Sequence, residues 1–441
     1  MSGGWPRVLV IGGGLGGLCL AQGLRRAGLD VALYERDRSP DARAQGYRVH
    51  IDGRGEAALR ACLPPALRRL FRAARGQPSL GATVFVLQDG ALRAASTRLF
   101  ADADRPGLPG PGSAVDRLTL RRVLLADLDG AARFGKEFTR YEQTADGAVR
   151  AFFADGTDAV GDVLVGADGV GSRVRRQLLP HAEVADTGVR WLGGKTPLDD
   201  DLRAALPPQL GETFAIVPMP AQALTVLFGL VAFRRDPNAA AARLRPGLRF
   251  EQTEAYAFWG VLAAPARLGA SADALNTMGG PELLRLALAL GAGWPAPLRA
   301  LFERCQPERC FVATVRVARP IGRWRTTNVT LLGDAVHAMP PSGSGANLAL
   351  ADASLLCRGL TAVARRGRPL LDALAQYELE MVRVGFEAVA ASTGAAVTLG
   401  GLRSGGSGGP GPARVRARRL GCGGRELLVD APEVRLHPLP D

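Results

Sequence analysis

A chain of 441 residues that is 47 % apolar is too long for one small core and points to two closely packed domains. Its formal charge of +13 comes almost wholly from scattered Arg, Lys occurring only at Lys136 and Lys195, and aromatic residues make up 6 %. That argues for a compositional bias toward Ala, Arg, Gly and Pro and against a nucleic-acid surface, although the positive field suits an anionic cofactor or substrate. Six cysteines without a CxxC pair or a His at zinc-finger spacing argue against a metal site or a disulfide framework. The N-terminus lacks a secretory pattern, and the longest apolar run, 223–233, falls short of the ~20 residues of a membrane helix. A soluble cytoplasmic protein with no membrane partner is expected.

Residues 7–11 form a short β-branched apolar run, the pattern of a strand buried on both faces. Gly12, Gly14 and Gly17 then spell GxGxxG, with Gly13 and Gly16 added, before a helical stretch over 18–27 and a second strand over 31–34 that ends on Glu35. The acid stands 23 positions after Gly12, close to the ~20 expected between a dinucleotide fingerprint and its ribose-binding carboxylate. Gly12 permits the tight turn, Gly14 lets backbone approach a pyrophosphate, Gly17 lets helix pack on strand, and Glu35 can accept ribose hydroxyls. Residues 41–52 read as a polar loop, 53–75 as helix broken at Pro64 and Pro65, and 83–95 as a hairpin turning at Asp89-Gly90. Residues 101–112 read as a Pro/Gly-rich surface loop, and 118–128 as a helix preceded by Arg117 and containing Arg121 and Arg122.

Strand patterns follow at 138–143, 149–153 and 162–165, the last running into a second glycine turn, Gly166-Ala-Asp168-Gly169 to Arg173. From about 187 to 320 five apolar or alternating β-rich runs suggest an antiparallel sheet with helices at 281–290 and 297–303. A strand at 329–332 leads into a third turn, Gly333-Asp334 through Pro341, Gly343, Gly345, Ala346 and Asn347, followed by Ala/Leu helices at 348–360 and 370–391. The fold expected is α/β. A Rossmann-like nucleotide-binding domain comprises 1–82, 114–186 and, with the C-terminal helices, 321–400. A second domain on a mostly antiparallel sheet comprises 187–320, joined by the hairpin and loop 83–113, and 401–441 are expected to be a disordered tail.

Three glycine turns after strands, two of them bearing an acid, suit a cofactor longer than one pyrophosphate; FAD fits, with adenosine ribose at Glu35, ribityl hydroxyls at Asp334 and the ring near 341–347. The segments VLVIGGGLGGL, LVGADGVGSRVR and LLGDAVHAMPPSGSGANLALADA resemble the three hallmarks of class A FAD-dependent monooxygenases of the p-hydroxybenzoate hydroxylase fold, over residues 5–400. Within them the chain looks most similar to the bacterial branch acting on tetracyclines and other polycyclic polyketides. The resemblance implies FAD contacts at Gly12, Gly14, Leu15, Gly16, Gly17, Glu35, Arg36, Arg121, Asp168, Gly169, Gly333 and Asp334. It places Pro341, Gly343, Gly345, Ala346 and Asn347 against the isoalloxazine, the backbone of the last four stabilising negative charge on the reduced ring. Asp168 and Gly169 belong to a motif associated with both FAD and NAD(P)H. The tail and the 101–112 loop depart from the family pattern.

The implied activity is NAD(P)H- and O₂-dependent hydroxylation of a hydrophobic aromatic or polycyclic natural product through a flavin C4a-hydroperoxide, so no catalytic side chain is called for. Baeyer-Villiger insertion and epoxidation share the motifs. Two further readings keep the FAD: a non-redox polyketide cyclase with a scaffold flavin, and a flavin-linked dehydrogenase or oxidase. The basic residues after Asp168, a path for a nicotinamide phosphate, favour the monooxygenase. His337 reads as a turn residue bonded to backbone, with a general base as the sharper alternative. Arg48 and His50 are divided between a ligand-facing role and a solvated loop. Trp191, Phe214, Met219, Phe228, Phe258 and Trp259 are candidates for core or cleft lining.

Overall fold

The computed structural model describes residues 6–40, 47–99 and 112–398. The described residues belong to one compact unit, and 401–441, the tail expected to be disordered, lie outside the described residues.

Val8–Ile11 is buried at every position, as its β-branched composition requires of a central strand. It pairs in parallel with Val31–Tyr34 on one side and Val163–Gly166 on the other. Val329–Leu331 extends the sheet beyond Val163–Gly166, and Ala132–Arg133 closes the opposite edge, again in parallel. Because all pairs are parallel, the chain leaves every strand at the same edge. The three glycine turns and Glu35 therefore stand side by side, although 321 residues of sequence separate Gly12 from Gly333. Helix Leu15–Ala27 crosses from the first strand to the second and stops at Gly28, whose φ of 86° suits glycine.

A seven-stranded sheet forms the second layer system, in the order Phe311–Ala318, Val184–Pro197, Tyr256–Ala263, Leu224–Val231, Thr213–Met219, Gly81–Gln88, Ala91–Leu99. All its pairs are antiparallel except Thr213–Met219 with Gly81–Gln88. The hairpin turns at Asp89 and Gly90, both with positive φ, which matches the right-handed twist of the strands. Expected domain breaks at 83, 114 and 187 fall inside the strands Gly81–Gln88, Gly112–Asp116 and Val184–Pro197. One face of the sheet packs Leu192, Val226, Phe228, Trp259 and Val261 under the helices Gly280–Gly291 and Ala296–Glu303. The other face presents Trp191, Phe214, Phe258 and Phe311.

Two loop expectations are corrected. Arg48–Ile51 and Gly112–Asp116 are strands that pair antiparallel, Arg48 opposite Asp116, and Pro78–Ser79 joins them in a small ribbon. The remainder of both loops, 41–46 and 101–111, lies outside the described residues. Alternating Arg48 and His50 gave the strand a polar look, and its partner is distant in sequence.

At the C-terminal end, Gly345–Arg366 stops at Gly367 (φ 65°), and Leu370–Thr398 runs back along the parallel sheet. There Tyr377 donates to the Leu331 carbonyl at 2.8 Å, and Thr326 and Thr330 donate to Glu378. Gly385 is where this helix passes His337: a Cβ there would lie 2.4 Å from the imidazole Cδ2. Gly385→Ala is expected to cost about 1–3 kcal/mol by overpacking, more than the helix propensity of Ala returns. Denaturant unfolding checks this, the unfavourable sign being the test.

Candidate functional site

The first turn is packed, not merely flexible. Gly12 has φ 110°, and a Cβ there would lie 2.3 Å from the Ala167 carbonyl of the second turn; one on Gly17 would lie 2.1 Å from the Gly12 carbonyl. A Cβ on Gly16 would meet Leu332 at 2.7 Å and Ala349 at 3.1 Å. Gly14 differs: nothing stands within 4 Å of its missing Cβ. It is the N-cap of Leu15–Ala27 with no side-chain cap, so no side chain takes up the first amides of this helix. Glu35, buried at the end of the second strand, accepts from the Gly13 N–H at 2.6 Å and the Asp37 N–H at 3.0 Å. Arg121 is buried, donates from Nε to the Gly13 carbonyl at 3.2 Å and from Nη1 to the Pro40 carbonyl. Arg36 is exposed.

Asp168 is engaged by its own turn. Its carboxylate accepts from Ser172 Oγ at 2.5 Å and from the Arg173 and Val174 amides at 2.8 and 3.3 Å, while Gly169 turns the chain at φ 75°. Burial raises the Asp168 carboxyl above its ordinary range against these hydrogen bonds. Of the basic residues after it, Arg175 is turned inward, donating to the Val170 and Ala335 carbonyls, and Arg173 pairs with Glu137.

The third turn starts at Gly333 (φ 61°), whose Cβ would meet Ala349 at 2.9 Å. Asp334 is exposed to solvent, with Gly345 beside it. Partial enclosure raises its carboxyl, offset by the charges of His337 and Arg117. Gly345, Ala346 and Asn347 are the first residues of a 22-residue helix that no side chain caps. Their amides form a second open helix start close to Asp334, suited to negative charge. Pro341 and Gly343 lie just upstream, the first partly exposed and the second exposed. The side chain of Asn347, 1 % exposed, is a hub: it accepts from the Asp52 N–H at 3.0 Å and donates to the His50 and Gly343 carbonyls at 2.8 and 2.9 Å. It thereby ties the third turn to the ribbon.

Sequence reasoning missed Asp352, one turn further along that helix. It accepts from the Gly333 N–H at 3.0 Å and from His337 Nε2 at 2.8 Å, and so fixes the shape of the third turn. His337 is 0 % exposed, and its partner is this carboxylate rather than backbone, which leaves a general-base role without access. A second missed group joins the ribbon to the seven-stranded sheet. Lys195 donates to Asp116 Oδ2 at 2.8 Å, Tyr256 donates to the same oxygen at 2.9 Å, and Asp116 Oδ1 accepts from Thr119. No local pattern signals either group, since Asp116 is 79 and 140 residues from its partners.

Among the candidate lining residues, Phe228, Phe258, Trp259 and Met219 are buried. Trp191 and Phe214 are partly exposed and cluster with Tyr47 and Phe311, Tyr47 lying 5.2 Å from Phe311 and 5.5 Å from Trp191 between ring centroids. Glycines let these rings lie close to the sheet: Gly193 beneath Phe311, Gly229 beneath Phe214 and Gly260 beneath Trp191.

The donor set suits FAD: two uncapped helix starts for a pyrophosphate and an electron-rich ring, carboxylates at Glu35 and Asp334 for hydroxyls, and a glycine whose open side a side chain would fill. Comparison with known proteins agrees. A family model described as an FAD binding domain matches residues 306–392, and one for an NAD(P)-binding Rossmann-like domain matches 10–73. The 2-heptyl-3-hydroxy-4(1H)-quinolone synthase of Pseudomonas aeruginosa is 31 % identical, covering 82 % of this chain and 83 % of that protein. A solved structure from Photorhabdus luminescens, assigned as an FAD-containing monooxygenase, is 30 % identical with a TM-score of 0.74, covering 89 % of this chain and 97 % of that one. The chain belongs to the class A FAD-dependent monooxygenases, an oxidoreductase family whose cofactor is FAD. The dual O-methyltransferase/FAD-dependent monooxygenase elcB of Phaeosphaeria nodorum is 34 % identical over 79 % of this chain, which spans only 39 % of that protein. Two further dual-function relatives are spanned to 44 %. Among the described residues no helix is long and apolar enough to cross a membrane.

Proposed function

We propose that this chain hydroxylates a hydrophobic aromatic or polycyclic polyketide-like natural product, with FAD along its three turns, NAD(P)H as electron donor and O₂ as co-substrate. The observation that supports this best is the meeting of three turns from one parallel sheet beside an aromatic sheet face. FAD, when bound, supplies electron transfer from the nicotinamide and activation of O₂. The chain's own residues position and shield. Backbone at Gly14 would approach the pyrophosphate, Glu35 would take the ribose hydroxyls in place of its present amide partners, and Arg121 would hold the linker. Asp334 would accept from the ribityl chain, and the amides of Gly345, Ala346 and Asn347 would favour negative charge on the reduced ring. Trp191, Phe214 and Phe311 would orient a flat substrate and exclude water. The relatives' names support the substrate class, one denoting a hydroxyquinolone product.

The test is anaerobic mixing of the purified protein with NADPH or NADH, with and without a panel of aromatic polyketides, followed by air and mass analysis. Bleaching of the flavin, faster with one compound, and recovery of that compound plus one oxygen atom is the expected result. A flavin that stays oxidised throughout while a polyketide is cyclised without mass change would overturn the reading in favour of a scaffold flavin.

A further inference from the structure

Among the described residues, Arg48 is a cation without a counter-ion in a partly enclosed place. On the ribbon strand Arg48–Ile51 it faces the aromatic side of the seven-stranded sheet, its guanidinium 4.9 Å from the Phe214 ring centroid and its Nε 3.2 Å from where a Gly229 Cβ would stand. Nε donates to the Leu230 carbonyl at 3.2 Å and Nη2 to Ser79 Oγ at 2.6 Å. Both acceptors are neutral, Nη1 makes no hydrogen bond, and no carboxylate pairs with Arg48 among the described residues. Burial pulls it down to about 10, with Tyr256 opposing, so it remains charged at neutral pH.

Its surroundings do not neutralise it. Asp116, opposite Arg48 across the ribbon, is already saturated by Lys195, Tyr256 and Thr119. His50, two residues along the same strand, is held down to about 4 by burial and then by Arg48, and is neutral. Arg48 and Lys195 thus face the single anion Asp116, and Arg117, 5.9 Å from the Tyr47 ring centroid, adds a further cation at the rim. A cation withdrawn from water with no partner is costly, and the cost is relieved when an anion docks. Around it stand partly exposed Tyr47, Trp191, Phe214 and Phe311. An aromatic enclosure with one unneutralised guanidinium is complementary to a flat ring system bearing a negative oxygen.

Resting on the hydroxylase reading, we propose that Arg48 anchors an anionic oxygen of the aromatic substrate and selects ionised molecules over their neutral counterparts. The oxygen belongs to an acidic ring hydroxyl or to a carboxylate, and Nη1 is the donor left for it.

The test measures binding to the FAD-loaded, oxidised protein through tryptophan quenching and flavin absorbance. Two probe pairs separate the sources: 2-hydroxy-1,4-naphthoquinone, ionised at neutral pH, against its O-methyl ether, and 2-naphthoate against its methyl ester. The ionic member of at least one pair should bind roughly tenfold to a hundredfold tighter, the range of a charge-assisted hydrogen bond. The pair that discriminates identifies the source. Arg48→Gln should abolish the preference and Arg48→Lys restore part of it. Should Arg48→Gln fail to fold, Ser79→Asp decides, because it supplies the missing counter-ion beside Nη2 and should also erase the preference. Equal binding of ion and neutral partner by the wild-type protein, absence of binding by any probe, or a preference that survives both Arg48→Gln and Ser79→Asp would overturn the proposal. Turnover plays no part in the readout, so failure of the hydroxylase reading would show separately, in the anaerobic reduction.

Discussion

Gly14→Ala should fold and melt close to the wild-type protein yet lose most of its FAD on purification. The missing Cβ of Gly14 meets nothing within 4 Å, its φ of −73° is ordinary for any residue, and the poorer N-cap preference of Ala against Gly is the one cost, below about 1 kcal/mol. Stability should therefore change by less than about 1 kcal/mol. The methyl would instead occupy the space through which a pyrophosphate reaches the helix amides. Loss of one charge-assisted contact weakens FAD roughly tenfold to a hundredfold. Gly17→Ala is the contrast, since its Cβ would lie 2.1 Å from the Gly12 carbonyl. It should lower stability by about 1–3 kcal/mol even without flavin. Calorimetry of the flavin-free variants beside FAD titration separates the two. Equal destabilisation by both would mean that Gly14 is a packing glycine and the helix start is not a phosphate site.

Asp352→Asn should be the most destabilising single substitution at the site, and its cost should depend on pH in a stated direction. Burial alone would push His337 down, but the charge and hydrogen bond of Asp352, with Asp334 adding, hold it above its ordinary value. A raised folded pKa means that the stabilisation is fully present below the unfolded value of about 6.5 and is lost as pH rises through the folded value. The groups facing His337 are Asp352, Asp334 and the backbone at Gly385, so the pair is decisive. Removing one partner of a buried ion pair costs about 3–5 kcal/mol, and Asn retains part of the contact to Gly333. The gap between wild type and variant in urea unfolding should therefore be widest near pH 6 and shrink toward pH 9. A gap that stays the same from pH 6 to pH 9 would mean that His337 is neutral throughout. Asp352→Asn should also release flavin, because Gly333 and the third turn hang on the same carboxylate.

Local chemistry explains what was legible in the chain. A β-branched run must be buried, a glycine run after it must turn, and an acid closing the next strand has few other reasons to be there; these needs are met within 35 residues at Val8–Ile11, Gly12–Gly17 and Glu35. The Asp89-Gly90 turn is equally local. The ribbon was hidden because the strand Arg48–Ile51 finds its backbone partner, Gly112–Asp116, only across two helices and a hairpin, so neither strand satisfies its hydrogen bonds nearby. Asp352 sits inside a helix where an acid reads as solvated, and only the fold turns it toward Gly333. The aromatic candidates were undivided because alternation assigns faces without saying which face is covered: Phe228 and Trp259 went under helices, Phe214 and Trp191 to the open side. His337 was read correctly as structural but given the wrong partner, since a side chain 15 residues away outcompetes backbone only after both helices form.

One measurement bears most directly on the claim that three turns share one extended cofactor: calorimetric titration of the flavin-free protein with FAD and, separately, with FMN. Binding of one FAD per chain, far tighter than FMN and weakened by Gly14→Ala, is the predicted result, because FMN lacks the adenosine half that Glu35 and the first turn would hold. FMN binding as tightly as FAD, or FAD binding untouched by Gly14→Ala, would contradict it.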